Sequence, residues 1–463
     1  METSTSLSAP LIGARAAQSG AGAPSLNGVA GSGGRGAGGA GGAQQRAALE
    51  LAYLSLASMA GVWVRITCGV TFSTTLAVTD ASGPFFKDLP ANMIGCFIIG
   101  LLADGATALR RRSGGSGAGA GADDASLGCA VAALPLDSAQ QHNAPLWRGL
   151  RLGLCGATTT FSSWLQQMGM MLYEGRVAAA AFGVVVRLQA AVMCCAAGEA
   201  AAAALHAAAN RRLRAAERRA LGEGEFKEEE EEDEGGGGGG DHAAPGNDDD
   251  DDDDVEAGAV ERRSPRERAL WQLRKAREER CAASDARTLR LTHATSCALL
   301  LALLAHALLG YRSGTSTWVF PYSASAVTNR GRWLAILLCP LGSVARAALS
   351  RLNGRGRLGG CELPEWFKLG TFAANVTGCA LNGLMKALKL GGAFGGGDGI
   401  AIFTAGWGTG VDGALTTVST LASEIRRHRG AACVYAYPAV SVLCGLAAFL
   451  ALYAPAMHNA SPS

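Results

Sequence analysis

Residues 153–164 read GLCGATTTFSSW and place Thr158, Thr159, Thr160, Ser162 and Ser163 around Phe161. Hydroxyls are hydrogen-bond donors, so a dense run of them inside an apolar stretch can replace the water around a small anion. A second run at 410–421, GVDGALTTVSTL, repeats the frame with Thr416, Thr417 and Ser419. Each hydroxyl can instead bond back to a carbonyl one turn earlier, or join helices beside small glycines. Those uses stay open for any one hydroxyl, but a repeated cluster fits them less well. The glycines heading both runs allow a helix to break and expose backbone.

Two further groups share this pattern. Asn92 in NMIGCFIIG and Asn375 in NVTGCALNG each offer an amide within an apolar segment, as interhelical glue or as part of a pathway. Arg65 and Arg346 each follow a glycine by four residues. They can snorkel to an interface or, as we read them, supply vestibule charge for an anion. The rings of Phe161 and Trp164 add positive edges. Paired intramembrane carboxylates are missing from this inventory, which favours an anion over a metal cation. No nucleotide-binding loop, nucleophile–His–acid set or metal-ligand spacing occurs, which argues against a pump and against an enzyme.

Polar groups in a bilayer are costly unless they pair or line a path, so the elements carrying them decide the reading. The chain is 49% hydrophobic with a formal charge of +2, and a near-neutral total gives no support to a nucleic-acid partner. Residues 1–48 are Gly/Ala-rich and expected to be disordered. They lack the basic start and apolar core of a signal peptide, with a transit peptide as the alternative. Apolar spans are expected at about 50–70, 90–109, 149–172 and 179–207, then at 291–311, 332–350, 366–388, 400–424 and 432–454. Arg187 and Glu199 interrupt the fourth, for which an Ala-rich soluble helix is the alternative. Between the groups, 210–290 carries basic blocks around an acidic tract at 225–256 and reads as a charged cytoplasmic loop without order.

The two groups of four match in order. Gly61 with Arg65 answers Gly342 with Arg346, Asn92-x-x-Gly-Cys answers Asn375-x-x-Gly-Cys, and Gly156 to Ser162 answers Gly413 to Ser419. This is an internal repeat. The basic clusters fall on one side when the N-terminus is cytoplasmic and the C-terminus outside, although Arg312, Arg330 and Arg332 then lie outside. The expected fold is therefore an all-α membrane protein of nine transmembrane helices. A first four-helix repeat (49–209) and a second (330–455) lie inverted about a linker helix at 291–311. Such a plan puts a substrate site near the midplane between the repeats.

With these motifs in hand, NxxGCFxxG followed by GxCGxxTTFSS resembles the fluoride channel and exporter family, in its eukaryotic fused double-domain form. The resemblance covers about 50–209 and 291–454. It implies a passive fluoride-selective channel at the plasma membrane that exports cytoplasmic fluoride and gives resistance to it. The implied partners are fluoride and the bilayer, with no nucleic acid or organic cofactor and one chain working as a monomer. The implied pore contains Asn92, Phe161, Ser162 and Trp164, with Asn375 and Ser419 from the second half. Thr160 and Thr417 are counted with it. A structural sodium is implied on backbone carbonyls of Gly156, Thr159, Gly413 and Thr416. The chain departs from the family where Val418 and Leu421 answer Phe161 and Trp164, and where Gln167 answers Glu424. One working pore containing Phe161 is the resulting expectation. A fluoride/proton antiporter, for which Glu424 is the candidate coupling group, is the nearest rival. A small-molecule exporter and a scaffold built on the charged loop stand further off.

Overall fold

The computed structural model describes residues 38–79, 85–102, 143–220, 265–314, 324–354, 357–358, 361–364, 366–390, 397–427, 430 and 432–460. The acidic tract and most of the N-terminal tail lie outside them. Contacts divide the chain into Met1–Gln44, of which only the start of a helix is described, and Gln45–Ser463, which holds all that follows.

In the first half, α1 (Gly38–Val70) is followed by α2 (Leu89–Leu101), whose first turn carries Pro90, a residue that costs nothing there because its missing N–H would have no partner. Next come α3 (Ala144–Arg148), a π-helical stretch Gly149–Cys155 and the single turn α4 (Gly156–Thr158). After a break, α5 (Ser162–Tyr173) and the long α6 (Val177–Ala220) complete the half. α7 (Pro265–Ser313) connects to the second half. There α8 (Ala326–Leu349) starts at Ser325, whose hydroxyl accepts from the Thr328 amide at 3.2 Å, and α9 (Leu369–Leu390) follows. A second broken helix runs α10 (Asp398–Gly406), π-helical Trp407–Asp412, α11 (Gly413–Leu415) and α12 (Ser419–Arg427). α13 (Tyr437–Ala460) ends the described chain. The strand pairing described is a two-residue antiparallel ladder, β1 (Arg357–Leu358) with β2 (Cys361–Glu362).

Among the described residues, five helical stretches are long and apolar enough to cross a membrane: Gln44–Thr75, Val177–Ala209, Thr288–Ser313, Ala326–Leu352 and Val434–His458. The protein is an integral membrane protein. One sequence expectation changes. The segment 210–290 was expected to lack order, yet α6 continues to Ala220 and α7 begins at Pro265. The reason is composition, since RRLRAAERRA at the end of α6 is made of Ala, Arg, Leu and Glu, all strong helix formers, and RERALWQLRKAREER at the start of α7 is mostly so. The segments 149–172 and 400–424, each expected as one span whose glycines allow a break, are each broken in the middle. The breaks come at Thr159 (φ −93°, ψ 151°) and Thr416 (φ −86°, ψ 152°), whose extended backbone ends the helical ladder.

Two apolar cores hold the halves together. Met59, Val62, Ile66 and Val70 recur at helical spacing along one face of α1 and pack with Trp333, Ile336 and Cys339 of α8. Phe161, Trp164, Leu165 and Met168 of the first half pack with Cys379, Leu421, Tyr437 and Phe449 of the second. Both polar interruptions of α6 have partners. Glu199 pairs with Arg426 of α12 at 2.9 Å, and Arg187 donates to Gln167 of α5 at 2.9 Å.

Candidate functional site

The two breaks meet, and each half completes the other. Thr416 Oγ1 accepts from the amides of Phe161 and Ser162, both at 3.2 Å, and thereby caps the start of α5. In return Thr159 Oγ1 accepts from the amides of Val418 (3.3 Å) and Ser419 (3.2 Å) and caps α12. Each hydroxyl also donates to a carbonyl one turn back, Thr416 to Asp412 at 3.0 Å and Thr159 to Cys155 at 3.1 Å. Ser162 Oγ lies 3.1 Å from Thr416 Oγ1, and Ser419 Oγ lies 3.2 Å from Thr417 Oγ1. Thr159, Thr416, Ser162 and Ser419 thus spend much of their hydrogen-bonding capacity on the fold itself. Removing a capping hydroxyl costs about 1–2 kcal/mol. Thr416→Val is therefore expected to lose about that much stability, read as the shift of a denaturation curve in detergent.

The asparagines clamp the same breaks. Asn92 Oδ1 accepts from the Thr160 amide at 2.8 Å while its Nδ2 donates to the Thr160 carbonyl at 3.1 Å. Asn375 repeats this on Thr417, at 2.8 and 3.1 Å. An amide NH2 has two donors, and among the described residues one N–H of each asparagine has no protein acceptor. A second consequence concerns the glycines. The Thr160 and Thr417 amides would be the helical donors to the Gly156 and Gly413 carbonyls, and both point to asparagine instead. These carbonyls, in the last turns before the two breaks, are hard oxygen donors of the kind that holds sodium at broken membrane helices. Of the implied set Gly156, Thr159, Gly413 and Thr416, the two glycine carbonyls thus suit the ion, while the guanidinium groups of Arg346 and Arg65 lie against Gly156 and Gly413 and oppose its charge. Thr416 shares its carbonyl with Arg346 Nη1 at 3.4 Å.

Arg65 and Arg346 cross between the halves. Both are 2% exposed. Arg65 donates to the Thr409 carbonyl, and Arg346 donates to the Leu152 carbonyl. Each guanidinium lies flat against a glycine of the opposite broken helix, Arg65 on Gly413 and Arg346 on Gly156, where any Cβ would collide with it. Arg65 also lines a cavity of about 510 Å³ with Asp88, Ser163, Gln166, Arg332 and Lys386. That cavity has a basic lining, so it concentrates anions at its base.

Here the halves cease to match. Phe161 packs edge-on to Trp164 at 5.4 Å between ring centres. The Phe161 rim and Cys379 Sγ converge on Gly445 of α13, at 3.0 and 3.2 Å from where a Cβ would stand. Val418 and Leu421 are buried at the equivalent positions. Glu424 is also buried, and it accepts from Thr371 Oγ1 at 2.6 Å and from Tyr437 OH at 2.8 Å. Further along α9, Asn382 Nδ2 donates to Gln166 Oε1 at 3.1 Å, and Lys386 reaches the cavity. Thr371, Asn375, Cys379, Asn382 and Lys386 form one stripe at helical spacing along α9. The α2 stripe, Asp88, Asn92, Cys96 and Ile99, turns apolar where Asn382 stands in α9.

The structure therefore brings together every residue singled out from the sequence around the two breaks. Sequence reasoning missed Thr371, Tyr437, Asn382, Lys386 and Gln166. The i, i+4, i+8 spacing of polar residues in α9 was the available signal.

Comparison with known proteins fits this arrangement. The family described as CrcB-like protein, Camphor Resistance (CrcB), matches residues 52–199 and 333–453, one copy in each half. The protein called Fluoride export protein 1 of Neurospora crassa is 37% identical over 137 residues, covering 27% of this chain and 23% of the relative. The match thus spans about a quarter of each protein. No solved structure matches the chain. With both halves matched over the helices that build the crossed breaks, the chain belongs to the CrcB-like family and carries its domain twice.

Proposed function

We propose that the chain exports cytoplasmic fluoride through a conduit along the α9 stripe, bounded by α5, α12 and α13. The supporting observation is the continuity of that stripe. Glu424 with Thr371 and Tyr437, then Asn375, the Phe161 rim, Asn382 with Gln166, and Lys386 follow one another to the basic cavity. Fluoride is small and tightly hydrated, so leaving water requires donors at short intervals. Asn375 supplies its unspent N–H and Ser419 a hydroxyl, while the Thr371 and Tyr437 hydroxyls are turned to Glu424. The Phe161 and Trp164 edges add positive quadrupole without a charge that would hold the ion. Ser162, Thr160 and Thr417 border the same crossing, while Asn92 serves the first-half counterpart.

In this reading the broken helices each count as one span, giving nine in a four-one-four order. The repeats are inverted within one monomeric chain at the plasma membrane, with the N-terminus cytoplasmic and the C-terminus outside. A sodium on the Gly156, Thr159, Gly413 and Thr416 carbonyls would neutralise the negative ends of α4 and α11. Arg65 draws the anion toward the outer cavity, and Arg346 braces the crossing. An inside-negative potential supplies about 2.3 kcal/mol per charge per 100 mV, enough to drive passive exit.

The buried Glu424 carboxyl on the stripe is what favours a second reading, proton-coupled antiport. Purified chain in fluoride-loaded liposomes separates the two. Efflux is expected at fixed inside-negative voltage with the proton gradient collapsed, with chloride retained, and Glu424→Gln is expected to keep it. Efflux that stops with the proton gradient would establish the antiporter. Equal chloride efflux would remove the fluoride assignment.

A further inference from the structure

The first half has the parts of a second conduit, and one side chain stands in it. Gly100 of α2 faces Cys195 of α6, and Gly383 of α9 faces Phe449 of α13, which sets the two halves in register. Counting back eight residues from Cys195 and Phe449 puts Arg187 opposite Ser441. Counting back twelve puts Gly183 opposite Tyr437. The second-half group of Glu424, Thr371 and Tyr437 is therefore matched by Gln167, Asp88 and Gly183. No ring stands at Gly183, and the space is taken by Met168, whose Sδ and Cε lie 3.0 and 3.2 Å from where a Cβ would be, and by a guanidinium one turn along. Arg187 Cζ lies 3.7 Å from where a Gly183 Cβ would be. The guanidinium donates to Gln167 Oε1 at 2.9 Å and lies over the Phe86 ring at 4.5 Å from its centre. Arg187, Gln167 and Phe86 are 2%, 7% and 3% exposed.

We infer that Arg187 is a built-in plug that closes the first-half conduit. Its guanidinium, beside Met168, borders the space that the Tyr437 ring takes on the other side. The plug acts in two ways. It occupies the volume, wedged between an amide and a ring face with cation–π attraction. It also carries a fixed positive charge in a low-dielectric site, where an arriving anion is held instead of released. A conducting position needs the weak, multiple contacts of hydroxyls and amides. Ser441, the α13 match of Arg187, is small and turns its hydroxyl to the Tyr437 carbonyl at 2.8 Å. The lost aromatics at Val418 and Leu421 then belong to a path already shut at its other end.

This inference rests on the fluoride reading, and the experiment keeps the two apart. Full-length chain in liposomes is compared as wild type, Phe161→Ile, and Phe161→Ile with Arg187→Ser, using a fluoride electrode and a chloride electrode. Absence of wild-type fluoride efflux would overturn the fluoride reading itself. With wild-type efflux present, Phe161→Ile is expected to fall at least about tenfold. The double variant is expected to recover efflux at least about tenfold above Phe161→Ile, now with chloride passing as well, because this path has no phenylalanine at Val418. Gain of chloride permeability is a readout that a packing role would not produce. Should Arg187→Ser not stay monodisperse, Arg187→Gln in the same background carries the same expectation. A folded double variant no more permeable than Phe161→Ile overturns the plug. Loss of folding in both Arg187 variants does the same by assigning the residue to packing.

Discussion

Asn375→Ala is expected to reduce fluoride efflux about a hundredfold, a loss of about 2.7 kcal/mol in the barrier, and to destabilise the fold in the same step. The side chain does two things at once. Its Oδ1 and one Nδ2 hydrogen hold the Thr417 amide and carbonyl, at 2.8 and 3.1 Å, and its other N–H is the donor assigned above to fluoride. Alanine leaves both backbone groups buried without a partner, at about 1–3 kcal/mol each. Asn92→Ala removes the same clamp from Thr160 but lies off the α9 stripe. Equal stability losses with unequal efflux losses is thus the expected pair of results, read by denaturation in detergent and by liposome efflux. Equal efflux losses from the two variants would place the conduit somewhere other than α9.

The second large effect is the contrast between Phe161→Ile and Val418→Ala. Phe161 is fully buried, abuts Trp164 edge-on at 5.4 Å, and presents its rim beside Cys379 and Gly445. Isoleucine fills much of that volume but has no quadrupole, so the anion loses the ring edge while the core stays packed. Efflux is expected to drop at least about tenfold, equivalent to about 1.4 kcal/mol. Val418 is buried in the same core without a ring to lose. Val418→Ala should therefore leave efflux within about threefold of wild type, under 1 kcal/mol on the same scale. Equal loss in both variants would mean that the two crossings conduct alike.

The motifs around Asn92, Gly156, Asn375 and Gly413 were readable as a repeat because each copy keeps residue type and spacing within a short window. The residues that join the copies were not. Thr416 caps α5 from a distance of 254 residues in sequence, and Arg346 reaches Leu152 across 194. No local pattern encodes such pairings. Thr159 and Thr416 were read as ligand carbonyls, yet their hydroxyls hold the opposite helix. Glu424 stood out as a lone carboxylate, but its partners Thr371 and Tyr437 lie on two other helices. Arg187 looked like a fault in an apolar span, and only the register of α6 against α2 gives it a place.

The exchanged caps also impose an order on synthesis. Thr159 and Thr417, which lie 3.2 Å apart in the finished protein, are separated by 258 residues of chain. At about 5–20 residues per second, the ribosome needs on the order of 10–50 s to cover that interval. Throughout it the nascent first half holds a helix break whose Phe161 and Ser162 amides have no acceptor. The insertion machinery must shelter this half-made crossing until the second copy emerges. The first repeat thus matures only as a client of the second, and any delay in translating the charged segment between them lengthens its exposure to quality control.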